Sequence, residues 1–318
     1  MKPKISVAMT TYNGRLFLKE QLDSIAAQSR QVDELTVCDD GSADNTVGIL
    51  NEFKESAPFP VRIAVNEKNL RCAKNFEKAI SLCGGDIIFL CDQDDVWLPN
   101  KVSIIEKMFL ANPDCGMAFT DAVVVDEENR QLSKLWADFR FDKKRQRKIK
   151  AGKGFEAFVR GNVVTGATAA ITKSFFEEAK PFPTEVTHDY WMAMVAVLKN
   201  KLFFNNAITI NYRKHSAQQI GTPPPTFFRK LKRIPDLNKD AVQRQVLREE
   251  LDARFHLTEA QNKLFADCIE FYKFRERVWH DGLIRIPKII FNLSIGNYHK
   301  FSTGFLSAGK DLIIKKYD

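Results

Sequence analysis

The first ninety residues alternate between apolar runs and amphipathic stretches. Ile5-Ser6-Val7-Ala8-Met9-Thr10 is nearly unbroken in its apolarity, the pattern of a strand buried on both faces. After the turn Thr11-Tyr12-Asn13-Gly14, the residues Leu16, Leu18, Leu22 and Ile25 recur at helical spacing. The pattern then repeats. Residues 35–38 predict a second strand, with a helix from Asp44. Residues 61–65 predict a third, with a helix over about 72–82. Gly84-Gly85 ends that helix, and Ile87-Ile88-Phe89-Leu90-Cys91 is the fourth strand. Strand and helix alternating four times predict an α/β fold: a mostly parallel sheet with right-handed crossovers and helices on both faces.

Each predicted strand ends in polar residues: Thr10-Thr11, Asp39-Asp40, Asn66, and Asp92-Gln93-Asp94-Asp95. These ends line one rim, and open α/β sheets bind ligands at the carboxyl ends of their strands. The fourth strand dominates, because three carboxylates within four positions repel one another unless a cation joins them. Hard oxygen ligands suit magnesium or manganese, usually shared with substrate phosphates. The bland alternative is a solvated acidic turn, with Asp95 capping the helix that Pro99 opens. Neither G-x-G-x-x-G nor G-x-x-x-x-G-K-[ST] occurs, which argues against a dinucleotide fingerprint or a Walker loop.

The second half is less regular. Residues 117–120 and 122–125 predict a strand or hairpin, with a turn at 126–129. The basic run 143–148 reads as a solvated helical face or as a contact for phosphates or lipid headgroups. Residues 161–168 predict a strand whose glycines let a ligand approach the backbone. Thr187-His188-Asp189-Tyr190-Trp191 starts a helix reaching about residue 198. Residues 202–210 predict a further strand, followed by Tyr212-Arg213-Lys214-His215. Pro223-Pro224-Pro225 is the clearest boundary. Beyond it, residues 227–233, 271–279 and 284–293 mix aromatic or aliphatic residues with cations, as segments in a membrane interface do; the alternative is a basic helical cap.

The 318 residues are 44% hydrophobic and 28% charged, which excludes a disordered chain. Of the net charge of +8, +6 falls after Gly221, where 18 Lys/Arg face 12 Asp/Glu. That excess implies an anionic partner surface, membrane or nucleic acid. Six cysteines with no C-x-x-C spacing argue against zinc and fit a reduced, cytoplasmic setting. The chain enters its first strand with no signal-peptide pattern, and no run of about 18 apolar residues predicts a membrane span.

Four pieces, in order, resemble the family 2 inverting glycosyltransferases of the GT-A fold: Thr10-Thr11-Tyr12-Asn13-Gly14, Cys38-Asp39-Asp40-Gly41-Ser42, Asp92 to Lys101, and His188-Asp189-Tyr190-Trp191. The resemblance covers roughly residues 4–221. It looks strongest to bacterial members that build surface polysaccharides, rhamnosyltransferases among them.

The resemblance implies a GT-A domain over 1–221, its nucleotide half about 1–100 and its acceptor half about 101–221. Residues 222–318 would be a basic helical extension. It implies that Thr11, Tyr12 and Asp39 hold the donor nucleoside, uridine or deoxythymidine, with Asn13 and Asn69 also in the donor site. Asp92 and Asp94 would form the D-x-D pair, Asp94 coordinating Mn2+ or Mg2+ and Asp92 contacting the ribose or the metal's water shell; Asp189 would be the general base, and Arg213 and His215 would clamp the diphosphate or an acceptor phosphate. Trp97, Gly166, His188 and Trp191 are expected near the acceptor. The implied partners are a nucleotide-sugar, a glycan or lipid-linked acceptor and the inner face of the cytoplasmic membrane, with no nucleic acid. One departure is Arg71, where many members carry glycine, so the donor loop is expected to differ in shape. Two alternatives compete: a haloacid-dehalogenase-type phosphohydrolase, because Asp92 to Val96 fits D-x-D-x-[TV], and a non-catalytic nucleotide-binding member.

Overall fold

The computed structural model describes residues 2–215 and 236–314, in two compact units. The first comprises 2–154 and 162–215; the second comprises 155–161 and 236–314. Pro223-Pro224-Pro225 and the mixed segment 227–233 lie outside the described residues.

The first unit is built on β1 (Ile5–Thr11), β2 (Glu34–Asp39), β3 (Val61–Val65), β4 (Ile87–Cys91), β5 (Val96–Trp97), β6 (Met117–Val125), β7 (Gln131–Lys134), β8 (Ala169–Thr172) and β9 (Leu202–Arg213). They form one sheet in the order β3-β2-β1-β4-β8-β6-β9-β5, with β7 paired to β6. The apolar runs took the expected places: all five residues of β4 are buried, and β1 lies between β4 and β2. Helices α1 (Leu18–Ala26), α2 (Thr46–Ser56) and α3 (Arg71–Ser81) supply the crossovers, and α4 (Lys101–Ala111) follows the acid turn. Parallel register sets Thr11 opposite Asp39 and Met9 opposite Cys91, so the polar strand ends share one rim.

One expectation is refined and one corrected. The α/β fold stands, with a sheet that is mixed rather than purely parallel: β8 runs antiparallel to both neighbours, β4 and β6, and β5 runs antiparallel to β9. The regular alternation that implies parallel crossovers stops at α4, and the longer, irregular links beyond it let strands enter from either end. Second, 161–168 is not a strand. Gly161 takes φ +146, and the Asn162 side chain bonds both the N–H and the carbonyl of Val164, so the backbone turns locally instead of joining a ladder. Gly166–Thr168 is a short 3₁₀ turn, and the strand begins at Ala169.

The basic run forms the helix Lys143–Lys150, capped by the Asp142 side chain, with no buried residue. That matches its solvated reading.

In the second unit the helix Leu237–Phe255 ends at His256, in a left-handed conformation. The helix Glu259–Val278 starts with a capping box between Thr258 and Gln261. Buried Arg244 donates to the carbonyls of Val159 and Arg160, drawing the segment 155–161 into this unit although it lies within the span 1–221. Three shorter helices follow: Arg285–Ser294, Asn297–Phe301 and Phe305–Ile313. Among the described residues no helix is long and apolar enough to cross a membrane.

Candidate active site

The β2 turn is built from its own carboxylates. Asp39 is fully buried and accepts from the Thr11 hydroxyl (2.7 Å), the Ser42 hydroxyl (2.6 Å) and the backbone N–H groups of Ser42 (2.8 Å) and Gly41 (3.2 Å). Asp40 accepts from Leu70 N–H (2.7 Å), Arg71 N–H (3.0 Å) and the Asn66 amide (2.8 Å), which fixes the loop before α3. Arg71 adopts φ +64, the left-handed conformation that glycine favours. The arginine therefore sits in a glycine-like backbone conformation. Asn69 is exposed and brackets this loop, accepting from Arg71 N–H (3.0 Å) and donating to the Asp40 carbonyl (3.3 Å). Asn13 links the β1 and β2 turns: its N–H donates to the Ser42 hydroxyl and its side-chain oxygen accepts from Ala43 N–H, both at 2.9 Å.

The acid turn follows β4. Gln93 accepts from Tyr12 N–H (2.8 Å) and donates to the Tyr12 carbonyl (3.1 Å), a side-chain rung between the β1 and β4 turns. Asp94 Oδ2 meets His215 Nε2 at 2.9 Å. Buried Asp95 accepts from Arg213 N–H (2.9 Å) and leaves Oδ2 without a partner. Lys101, at the start of α4, is fully buried. Its ammonium donates to the Ala167 carbonyl and lies 4.3 Å from the centre of the Trp97 ring. Loss of water around Asp92, then repulsion from Asp94 and Asp189, pushes its carboxyl up to about 7, although the residue is only half-buried. Burial pulls Lys101 down to about 8, against the attraction of Asp95 and Asp92. Tyr212 is raised well above the ordinary phenol, first by burial and then by the charges of Asp95, Asp92, Asp94 and Asp189.

Asp189 lies in the first turn of the helix His188–Leu198. One oxygen accepts from the Thr187 hydroxyl and Tyr190 N–H, both at 2.6 Å; the other accepts from Gly166 N–H at 3.3 Å. Gly166, which holds Asp189, adjoins Ala167, whose carbonyl accepts from Lys101 of the acid motif, and the Asp189 charge raises Asp92, so a positioned carboxylate stands near the acid turn. His188 is buried, stacked on Phe76 with ring centres 3.8 Å apart, and burial lowers its pKa. A Cβ at Gly166 would meet His188 Nε2 at 2.5 Å, so a glycine is needed there.

Three expected ligand contacts are corrected. Trp97 is buried against Phe89 and under Lys101, and Trp191 is fully buried with its indole N–H on the Ala179 carbonyl. Neither has an open face for an acceptor sugar. Arg213, 1% exposed, donates to the carbonyls of Asp94 and Glu127 and pairs with Glu20, so it braces the acid turn from behind. His215 reaches the acids, on Asp94. Lys101, Gln93 and Tyr212 are the contributors that sequence reading passed over. The signal for the first two was a lysine and a glutamine inside an otherwise acidic and apolar motif.

Does this arrangement suit a divalent cation? Among the described residues no three His/Cys/Asp/Glu side chains form a ready-made metal cage. The crowded Asp92 and Asp94, whose repulsion raises Asp92, do suit one bound by two carboxylates with its other ligands drawn from phosphates.

A family model described as "Glycosyl transferase family 2" matches residues 6–178. The dTDP-rhamnosyl transferase RfbG of Shigella flexneri is 28% identical over 222 residues, 67% of this chain and 73% of its own length. The uncharacterized glycosyltransferase alr2836 of Nostoc sp. is 28% identical over 141 residues, 42% of this chain and 44% of its own length. Among solved structures, S. aureus TarS 1–349 in complex with UDP-GlcNAc superposes with TM-score 0.59 at 16% identity, over 84% of this chain and 70% of that one. The mannosyltransferase PcManGT of Pyrobaculum calidifontis, in complex with GDP-Man and Mn2+, gives 0.57 at 17%, over 98% and 79%. The solved structures carry the fold, GT-A, and the family model carries the family, which sets aside the phosphohydrolase alternative. The chain belongs to glycosyl transferase family 2.

Proposed function

We propose that this glycosyltransferase moves a sugar from a UDP- or dTDP-sugar, dTDP-rhamnose being the favoured donor, with inversion of the anomeric centre. The acceptor is a hydroxyl of a cell-surface polysaccharide or its lipid-linked precursor, met at the inner face of the cytoplasmic membrane through the C-terminal unit. The observation that carries the reading is Asp189, held by Thr187, Tyr190 and Gly166 beside the Asp92 to Asp95 turn. The rhamnosyl donor is supported by the likeness to RfbG.

In this reading the acceptor hydroxyl gives its proton to the Asp189 carboxylate as its oxygen bonds to the anomeric carbon. The bond from that carbon to the diphosphate breaks, and the nucleoside diphosphate leaves with the electron pair. Base and leaving group on opposite faces of the sugar give inversion in one displacement. Asp92 and Asp94 would hold Mn2+ or Mg2+, which when bound offsets the negative charge developing on the leaving diphosphate. His215 orients Asp94 for that duty; Lys101 tempers the repulsion among Asp92, Asp94 and Asp95. Thr11, Asp39 and Asn13 shape the nucleoside end of the rim.

The test is Asp189→Asn. Transfer from dTDP-rhamnose or a UDP-sugar should fall by about 10²-fold or more. The thermal shift produced by the nucleoside diphosphate with Mn2+ should persist, since binding to the native state raises the melting temperature by mass action. Transfer at the wild-type rate would refute the base assignment. No shift in wild type with any diphosphate and metal would refute the donor site.

A further inference from the structure

The helix Phe305–Ile313 is turned inside out. It buries Ser307, Ala308 and Asp311 and exposes Phe305 (70%), Leu306 (63%) and Ile313 (78%). A helix of a soluble domain ordinarily puts its apolar stripe inward and its polar residues outward. The reversal is held in place. Asp311 accepts from Arg275, Trp279 and Tyr298, and Ser307 bonds Ser302 and Thr303. The neighbouring helix Arg285–Ser294 buries only Arg285 and Ile289 while exposing Ile286, Ile290 and Phe291; the turn before it exposes Leu283 (84%) and Ile284. Arg285 donates to the carbonyls of Leu312 and Ile314, so the two helices present their apolar surfaces as one locked unit. Apolar surface in this concentration is rare on a protein that meets only water.

Charge indicates what covers it. From Gly282 to Ile314 the sequence has four cations, Arg285, Lys288, Lys300 and Lys310, and one acid, Asp311. That acid is fully buried and paired with Arg275. The outer surface of this stretch carries no carboxylate of its own; Lys288 and Lys300 reach solvent, the first paired with Asp281 at 2.7 Å and the second 3.5 Å from Asp267. Apolar residues rimmed by lysines, whose surface ion pairs are weak enough to yield to lipid phosphates, match an anionic bilayer, where side chains enter the acyl boundary and lysines meet headgroups.

We propose that the outer face of the helices Arg285–Ser294 and Phe305–Ile313 inserts into the surface of an anionic phospholipid bilayer. This deepens the membrane clause of the proposed function. It makes apolar insertion the main attraction, with the basic charge as a rim effect. Binding is read without donor or acceptor, so it stands or falls apart from the transfer chemistry.

The test is flotation of the full chain with vesicles of phosphatidylcholine, alone or mixed with phosphatidylglycerol. Wild type should float with the mixed vesicles and keep a large part of its binding in high salt. The double variant Ile290→Asp with Phe305→Asp should lose about tenfold or more of its vesicle affinity. Both positions are exposed, so its circular-dichroism melt and its diphosphate thermal shift should match wild type, which separates this loss from failure of the donor site. Lys288→Glu with Lys300→Glu should lower the preference for phosphatidylglycerol. Equal flotation of the apolar double variant and wild type would overturn the proposal. So would a wild type that binds no vesicle and sediments as a dimer that the double variant dissociates, because the face would then meet a second copy of the chain.

Discussion

Asp311 is the test case for what holds the C-terminal unit together. It is fully buried and accepts from Arg275 Nε (2.7 Å) and Nη2 (2.8 Å), Tyr298 Oη (2.8 Å) and Trp279 Nε1 (3.1 Å). Asp311→Asn removes the charge, turns an amide N–H₂ toward groups that are themselves donors, and strands the guanidinium of Arg275, whose side chain is 5% exposed. Breaking a buried pair from one side costs about 3–5 kcal/mol. With a urea slope of roughly 1–3 kcal/mol per molar, the midpoint should fall by about 2 M. The assay is urea unfolding of the full chain followed by circular dichroism, with two transitions fitted where the units separate. The double variant Arg275→Met with Asp311→Leu removes both charges and should recover most of the loss, because a buried pair adds little over an apolar replacement of similar volume. A single variant within about 0.5 kcal/mol of wild type would refute the reasoning. A double variant as unstable as the single would show that shape, not charge pairing, sets the cost.

Four further outcomes are expected. Lys101→Met removes the buried cation that faces Asp92 and Asp95 and should cost about 2–4 kcal/mol in chemical denaturation, with weaker metal-dependent diphosphate binding; unchanged stability would mean the acids need no counter-charge. Gly166→Ala drives a methyl to 2.5 Å from a His188 ring already stacked on Phe76, so it should cost about 1–3 kcal/mol and lower turnover through Asp189; a fully active, stable variant would contradict the packing. Arg71→Gly relieves φ +64 and should be neutral or stabilising by up to about 1 kcal/mol in thermal unfolding, and a clear loss would mean the arginine side chain contributes to the loop. His188 is held neutral, with its pKa below the ordinary 6.5, so its share of stability is present above 6.5 and is lost as pH falls through that value. The difference in stability between wild type and His188→Phe, measured from pH 8 to pH 5, should move in favour of the variant on acidification, and a constant difference would refute the assignment.

The strands β1 to β4 were legible because each is an apolar run with a polar end, a local signal that survives in any tertiary context. The acid turn was legible for the same reason: three carboxylates closing a buried strand have few bland uses. β8 was not legible. Its four residues, Ala169 to Thr172, become a strand only because β4 and β6 flank them, and that pairing is long-range. Trp97, Trp191 and Arg213 carry no local mark of which way they face. The sequence shows an aromatic or a guanidinium near an acid motif, and only packing decides between rim and core. The same limit hid the reversed helix, since periodicity reveals a stripe but not the side on which the rest of the chain lies.

The β2 turn bears on how a ligand would be received. Asp39 and Asp40 together accept seven hydrogen bonds, from Thr11, Gly41, two groups of Ser42, Asn66, Leu70 and Arg71. The turn thus loses its conformational freedom during folding rather than on encounter. In the proposed function a nucleotide arriving there would meet a preformed wall, and little ordering entropy would oppose its capture. Calorimetry of diphosphate binding should then show a small unfavourable entropy for this part of the contact. Substitutions that loosen the turn should speed release far more than they slow arrival.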